Sequence, residues 1–205
     1  MTDLGYQNLN FARPTAAHAR DLEHLAERCE VIGAVELRAR HRLDGFRTIQ
    51  PRRRGHLGEA LFVRKNLEIL ESGSKLAALS LRRQRIGWRR IVWVVVETDR
   101  GPLAVVVVHM PPKRMQRALW VAYAWRLRRL LAEFERRGLD WVAAGDWNRD
   151  LDADPCRLRR RLGASWRGHG IDGYAVSRRL ARRQLVTRTQ LLGRPDGHPR
   201  VYLTV

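Results

Sequence analysis

Two continuous apolar segments constrain the fold more than any other feature of this sequence. The segments RIVWVVVETD (residues 90–99) and LAVVVVHM (103–110) are rich in valine and show no alternation of polar and apolar residues. β-branched residues favour strands, and a strand without alternation is typical of one buried on both faces. The segment DRG (99–101) between them predicts a hairpin turn.

The remaining hydrophobic periodicity predicts further strands and helices. Helical spacing occurs over residues 15–29, with Thr15 as a candidate N-cap, and over 115–137, where Gly138 would end the helix. A short arginine-rich helix is expected near residues 155–162. Strands are predicted in YQNLNF (6–11), VIGAVE (31–36), ALFVRK (60–65), WVAAGDW (141–147), GIDGYAVS (170–177) and RVYLTV (200–205). Hairpin strands beside helix-linked strands indicate a layered α/β sandwich with mixed sheets rather than a doubly wound parallel sheet.

Polar side chains stand at the ends of nearly all these strands. They are all Asn, Glu, Asp or His: Asn8 with Asn10, Glu36, His109, Asp146 with Asn148, Asp172, and Asp196 with His198. Any one of them has an ordinary explanation as a solvated residue or a turn residue. Six such endings in one chain indicate a site held on rigid backbone.

These residue types suit the hydrolysis of a phosphate ester. Oxygen ligands without sulfur favour a hard cation such as Mg²⁺ or Mn²⁺. Histidines can stabilise the transition state or protonate a leaving oxygen, and carboxylates can orient an imidazole or accept a proton from water. Glycoside hydrolysis needs only two carboxylates, which would leave the histidines and asparagines unexplained.

The ordered series YQNLN, VIGAVE, VVVVHMPP, AAGDWN, GIDGYAV and PDGHPRVYLTV resembles the endonuclease/exonuclease/phosphatase superfamily. This superfamily includes the pancreatic-type deoxyribonucleases and the exonuclease III-type repair enzymes. The resemblance covers almost the whole chain, and Gly-Asp-Trp-Asn (145–148) is its most specific part. It implies one domain over residues 1–205, folded as a four-layer α/β sandwich of two mixed β-sheets flanked by helices.

The resemblance also implies a metal site. Glu36 matches the principal metal-binding glutamate, with Asn8 beside it, and Asp196 matches the acidic residue that precedes the catalytic histidine. The family usually ends in Ser-Asp-His, whereas this chain has Pro195-Asp196-Gly197-His198. The additional residue leaves two alternatives: Gly197 bulges and keeps both side chains in place, or Asp196 lies away from the metal.

Further roles follow from the same resemblance. Asp146 matches the aspartate that positions the attacking water, and Asn148 matches the asparagine that holds the phosphate. His198 matches the histidine at the scissile phosphate, Asp172 the aspartate that orients it, and His109 the second histidine of the deoxyribonuclease-like branch.

The expected substrate contacts are basic or aromatic. Arg38 in Glu-Leu-Arg matches an arginine of the family that reaches the DNA minor groove, and Arg64 and Arg114 are further candidates for nucleic-acid binding. Trp88, within the arginine-rich segment 82–90, could stack on a base or occupy a hairpin tip. The resemblance further offers Glu59 as a group that orients His109.

The net charge bears on the class of substrate. The formal charge is +19, and only three of the 40 basic residues are lysines, which leaves 37 arginines. Four clusters, at 51–54, 82–90, 157–162 and 177–184, are expected in loops or on helix faces. A biased use of arginine would explain the ratio but not the excess charge, which favours a polyanion over a small headgroup. An anionic membrane surface remains an alternative.

These observations predict a Mg²⁺- or Mn²⁺-dependent phosphodiesterase that acts on nucleic acid, with DNA favoured over RNA, most simply a DNA endonuclease. The alternatives are a phosphoesterase for a lipid or small phosphate ester, and a non-catalytic nucleic-acid-binding domain on the same scaffold. The two cysteines, Cys29 and Cys156, have neither zinc-ligand nor disulfide-framework spacing. No secretory signal or membrane-length apolar segment is evident, so a soluble, cytoplasmic monomer is expected.

Overall fold

A computed structural model describes residues 1–10, 12–37, 39–51, 58–82, 85–112, 117–148, 162–192 and 198–205. Over 78–82, 85–89 and at 117 it describes the backbone. Within these ranges, two six-stranded sheets pack face to face.

The first sheet is built around one parallel pair of strands. Its members are β1 (Asp3–Asn8), β2 (Val31–Val35), β3 (Phe46–Ile49), β4 (Ala60–Arg64), β11 (Val186–Gln190) and β12 (Arg200–Thr204). Their order is β11-β12-β1-β2-β4-β3, with β1 and β2 parallel and the other neighbours antiparallel. The sheet is therefore mixed.

The second sheet contains the apolar segments that dominate the sequence. Its strands are β5 (Ile69–Arg82), β6 (Arg85–Val96), β7 (Leu103–His109), β8 (Asp140–Asp146), β9 (Ala164–His169) and β10 (Asp172–Ser177). Their order is β5-β6-β7-β8-β10-β9, and β7 and β8 form its parallel pair. Since β7 and β8 are buried along their whole length, the absence of alternation in their sequences has a direct structural cause.

Helices cover the outer faces of both sheets. Helix α1 (Thr15–Ala26) packs Leu22 and Leu25 on the first sheet, and helix α2 (Arg117–Arg136) packs Leu127 and Phe134 on the second. A short helix, α3 (Arg178–Ala181), follows β10. A third apolar cluster fills the space between the sheets. The predicted four-layer α/β sandwich of two mixed β-sheets flanked by helices is confirmed.

Some local predictions were wrong or incomplete. Thr15 is the first residue of α1 rather than its cap, because extended Pro14 occupies the N-cap position and provides no side-chain hydrogen bond. The arginine-rich segment 82–90 was expected in a loop or on a helix face, whereas its described backbone belongs to β5 and β6. Strands β3, β5, β9 and β11 were not predicted. The expected helix near 155–162 lies, apart from Leu162, outside the described residues.

Among the described residues, no helix is both long and apolar enough to cross a membrane.

Candidate active site

Strand direction brings the predicted polar side chains to one edge of the sandwich. The parallel strands β1, β2, β7 and β8 end at this edge with Asn8, Glu36, His109 and Asp146. The antiparallel strands β4, β10 and β12 begin at this edge. Three further residues therefore lie there: Glu59 before β4, Asp172 at the start of β10, and His198 before β12. Residues separated by up to 190 positions in sequence therefore become neighbours.

One group of ligand atoms consists of Glu36, His109 and Asp146, and one atom of each lies within 4.8 Å of the others. Nε2 of His109 is 3.4 Å from Oε1 of Glu36 and 3.9 Å from Oδ2 of Asp146. Two carboxylates beside an imidazole form a donor set that can hold a divalent cation.

A second group consists of Asp146, Asp172 and His198, and it shares Asp146 with the first. Nδ1 of His198 lies 2.7 Å from Oδ2 of Asp172, which is a short, charge-assisted hydrogen-bond distance. Because a carboxylate only accepts, this contact places the imidazole proton on Nδ1 and leaves Nε2 facing the cluster.

Asn8 connects the two groups. Its amide nitrogen donates to Oδ2 of Asp146 at 3.1 Å and lies 3.4 Å from Nε2 of His198. Its amide oxygen accepts a hydrogen bond from the backbone of Asn10 at 2.9 Å, which fixes the orientation of the amide. Asn8 is fully buried, so these contacts form the floor of the site.

The segment Asp146-Trp147-Asn148 sends alternate side chains in opposite directions. Trp147 is buried and donates through Nε1 to the carbonyl of Gly173. Asn148 donates its backbone N–H to Oδ1 of Asp146 at 2.8 Å and its side-chain amide to the carbonyl of Met110 at 2.8 Å. The side chain of Trp147 is therefore held in the core, whereas Asp146 and Asn148 lie on the side of the site.

The backbone is unusual at three of these positions. Asn10, Glu36 and Asn148 have φ values of 56°, 59° and 51°, and they are the non-glycine residues with positive φ in the described part of the chain. Asparagine tolerates this left-handed region, but for glutamate it is uncommon and strained. Backbone strain of this kind is often found at functional sites.

Burial strongly affects the electrostatics of the two aspartates. Desolvation raises the pKa of Asp146 above its ordinary value, although nearby His109 opposes this rise. Desolvation also raises the pKa of Asp172, and its hydrogen bond with His198 opposes that rise. Both aspartates are 2% exposed, whereas the side chains of Glu36 and His198 are 29% and 17% exposed. The floor is thus acidic and dry, and a ligand can approach at Glu36 and His198.

The second histidine has the expected acidic neighbour. Nδ1 of His109 lies 3.9 Å from Oε1 of Glu59, and both side chains are almost completely buried. This geometry is compatible with the orienting role expected for Glu59, which stays a prediction.

The structure does not bring every expected residue to this edge. Arg64 lies at the opposite end of β4, where its guanidinium donates to the carbonyl of Ala26 and packs 4.9 Å over the ring of Phe46. Arg38, Arg114 and Asp196, together with the side chain of Trp88, lie outside the described residues.

Two features of the site were not found from the sequence. Tyr6 is fully buried, and desolvation and the neighbouring Asp172 raise the pKa of its hydroxyl. Strand alternation could have placed Tyr6 on the same face as Asn8. A buried polar cluster of Gln7, Asp21 and Arg200 lies behind β1 and β12. The feature of the sequence that could have indicated this cluster is Asp21, an aspartate among the apolar positions of α1.

Solved structures share this architecture over the whole chain. An endonuclease/exonuclease/phosphatase family protein from Bacteroides thetaiotaomicron has a TM-score of 0.69 at 15% identity, with 98% of this chain and 93% of that chain covered. The endonuclease domain of TRAS1, a telomere-specific non-LTR retrotransposon, has a TM-score of 0.72 at 13% identity, with 100% and 98% covered. A mannosyl-6-phosphatase from Bacteroides thetaiotaomicron has a TM-score of 0.69 at 16% identity, with 100% and 99% covered.

No protein-family model and no curated protein sequence matches the chain. The structural likeness nevertheless extends over both sheets and their helices. The chain therefore has the fold of the endonuclease/exonuclease/phosphatase proteins, as the sequence resemblance implied.

Proposed function

We propose that this protein is a divalent-metal-dependent phosphodiesterase that hydrolyses nucleic acid, and specifically a DNA endonuclease. The proposal rests on one observation: five side chains lie close together in two groups of possible metal ligands that share Asp146. These side chains are Glu36, His109, Asp146, Asp172 and His198. Acidic oxygens that can hold a divalent cation and imidazoles that can exchange protons suit metal-dependent hydrolysis of a phosphate ester.

The residues fit a Mg²⁺ or Mn²⁺ ion. Asp146 and Asp172 are carboxylates in a dry cluster where burial raises the pKa of each, so a cation beside them would relieve the cost of their charge. Glu36 would be the principal ligand, because its carboxylate is oriented into the cluster and its side chain is partly exposed. When bound, the ion supplies charge neutralisation at the phosphate.

The chain's own side chains would perform the remaining work. Asp146 would accept a proton from an attacking water and orient it, while the backbone N–H of Asn148 donates to Asp146 and keeps it in place. His198, whose Nδ1 donates to Asp172, presents Nε2 for a hydrogen bond to the phosphate or for proton exchange at an ester oxygen. His109, between Glu36 and Asp146, would add positive charge beside the phosphate when it is protonated.

The charge of the protein supports nucleic acid as the substrate. Both an endonuclease domain and a mannosyl-6-phosphatase share this fold, so the fold itself does not select a substrate. A formal charge of +19, almost entirely from arginine, suits a long polyanion that contacts many side chains at once. DNA remains favoured over RNA on the sequence resemblance.

Cleavage of supercoiled plasmid with Mg²⁺ or Mn²⁺ tests the proposal. The variants Glu36→Ala, Asp146→Ala and His198→Ala are expected to lose cleavage, and EDTA is expected to abolish it in the wild type. Asp140→Asn is a matched control, because Asp140 is a buried aspartate at the other end of β8. Cleavage at the wild-type rate by all three site variants would reject the proposal.

A second candidate is a phosphoesterase for a small or lipid phosphate, which the shared fold of the mannosyl-6-phosphatase favours. A panel of DNA, RNA, sugar phosphates, phosphoinositides and sphingomyelin separates it from the nuclease. Turnover of a small ester without cleavage of DNA or RNA would favour this candidate. Metal-independent binding of DNA without turnover of any substrate would instead indicate a non-catalytic binding domain.

A further inference from the structure

A buried polar cluster joins four elements directly behind the candidate site. Nε of Arg200 donates to Oε1 of Gln7 at 3.1 Å, and Nη2 donates to Oδ1 of Asp21 at 3.0 Å. Nη1 donates to Oε1 of Gln190 at 3.5 Å. One guanidinium therefore ties β12 to β1, to α1 and to β11.

The aspartate in this cluster is held from several sides. Oδ2 of Asp21 accepts a hydrogen bond from Arg13 at 2.6 Å and lies 3.4 Å from the amide nitrogen of Gln7. Gln7 is fully buried, and Asp21 and Arg200 are 4% and 9% exposed. The cluster is thus a nearly dry ion pair with defined geometry.

The cluster lies next to Asn8 and His198 along the chain. Gln7 and Arg200 are the register partners of β1 and β12 that lie nearest to the site. Asn8 follows Gln7, and His198 precedes Arg200 by two residues. Since successive side chains of a strand face opposite sides, Gln7 faces α1 and Asn8 faces the other sheet. The ion pair therefore supports the backbone from which both site residues project.

Stability alone does not account for this cluster. A buried ion pair is often no more stabilising than apolar residues of similar volume, because desolvation offsets the Coulomb attraction. Apolar partners are available at this place, since Leu9, Leu22 and Leu25 belong to the core cluster under α1. In contrast, Asn8 needs accurate placement to reach Asp146 and His198 with the same nitrogen.

We propose that Arg200, anchored on Asp21, is a positioning residue that holds the ends of β1 and β12 so that Asn8 and His198 meet beside Asp146. A planar guanidinium suits this role because it offers several donors in a fixed fork. The catalytic part of this inference rests on the proposed function, whereas the geometric part does not.

The test separates positioning from folding. In Asp21→Leu/Arg200→Met the ion pair is replaced by apolar side chains, which also leaves the buried amide of Gln7 without its partners, so thermal stability is expected to fall and both readouts are taken on folded protein. Arg200→Lys keeps the charge opposite Asp21 but cannot bond Gln7 and Asp21 with the same fork. The matched control is Asp140→Asn, which removes a buried aspartate held by Arg179 and Arg183 at the distant end of β8.

Two readouts are measured for each variant. The first is the nitrogen-15 and proton NMR signal of the His198 imidazole, which reports the Nδ1 contact with Asp172 and requires neither metal nor turnover. The second is kcat and KM for metal-dependent cleavage of a labelled oligonucleotide. We expect both Arg200 variants to shift the His198 signal and to lower kcat by about 10²-fold with KM little changed, as for a misplacement of about 1 Å.

The outcomes are distinct. A stable double variant with the wild-type His198 signal would overturn the proposal. If the double variant does not fold, the same result for Arg200→Lys would overturn it. An equal loss of kcat in Asp140→Asn would also overturn the proposal, since it would show that destabilisation far from the site lowers kcat as much. If the wild type cleaves no phosphodiester, the proposed function fails, and the His198 signal alone decides the positioning role.

Discussion

Gly145 provides the most direct test of how the fold positions Asp146. A methyl group at Gly145 would lie 2.2 Å from the carbonyl oxygen of Val108 and 2.2 Å from its Cγ2 atom. Relief of these contacts requires a movement of more than about 1 Å, because carbon atoms in contact are normally about 3.5–4.0 Å apart. The oxygen belongs to the backbone of β7, so rotation of a side chain cannot provide this movement.

We therefore expect Gly145→Ala to destabilise the protein and to displace the neighbouring Asp146. Overpacking of a core typically costs about 1–3 kcal/mol, and the backbone clash places this variant at about 3 kcal/mol. At about 2–4 °C per kcal/mol for a chain of this size, the melting temperature should fall by about 6–12 °C. A shift of Asp146 by about 1 Å should lower kcat by about 10²-fold.

The assay combines thermal unfolding by circular dichroism with metal-dependent cleavage at a temperature where the variant is folded. Gly58→Ala is the control, because a methyl group there meets nothing within 4 Å. Its melting temperature is expected to remain near that of the wild type. A Gly145→Ala variant with unchanged melting temperature and unchanged kcat would refute the inferred close approach of β7 and β8.

Three further predictions concern the charged groups of the site. Asp172→Asn should lower kcat by about 10²–10⁴-fold with the fold intact, since the imidazole of His198 loses its charged partner. Glu36→Gln should weaken Mn²⁺ binding more than about tenfold in calorimetry, because it removes a ligand charge. Asp146→Asn should make the stability of the metal-free protein less dependent on pH, because burial raises the pKa of this carboxyl and makes its ionisation unfavourable in the folded state.

The sign of the last effect follows from proton linkage. A carboxyl whose folded-state pKa is raised keeps its proton in the folded protein at a pH where the unfolded chain has already lost it. The stability of the metal-free wild type should therefore fall as pH rises from the ordinary carboxyl pKa to the raised value, and this fall should be smaller in Asp146→Asn. An identical pH dependence in both proteins would contradict the assignment of the penalty to Asp146.

The predictions for Asp172→Asn and Glu36→Gln can each be contradicted by one result. Wild-type kcat in Asp172→Asn would show that the contact with His198 has no catalytic role. Unchanged Mn²⁺ affinity in Glu36→Gln would place the ion elsewhere, and Glu97→Gln, on the loop after β6, serves as its charge-matched control.

The amino-acid pattern was sufficient to predict the layers of the fold and the residue types of the candidate site. The valine-rich strands β6 and β7 were predictable because burial on both faces removes the alternation of polar residues. Glu36, Asp146 and His198 were candidates because each lies beside an apolar segment and matches the motif series of the resemblance, and the structure brings them together. In contrast, β3 and β11 are short strands with exposed positions, and their local hydrophobic pattern is too weak to distinguish them from loops.

Which side chains meet, and which do not, depends on the packing of distant segments and was not predictable from the local pattern. Arg64 and Glu59 flank the same short strand, yet antiparallel pairing places Glu59 at the site and Arg64 at the far end. The left-handed backbone of Glu36 and the link from Arg200 to Asp21 likewise depend on strand register and on the docking of α1. Hydrophobic periodicity is a property of neighbouring residues, whereas these contacts join distant segments, and their geometry exists only after the sheets and helices have packed together.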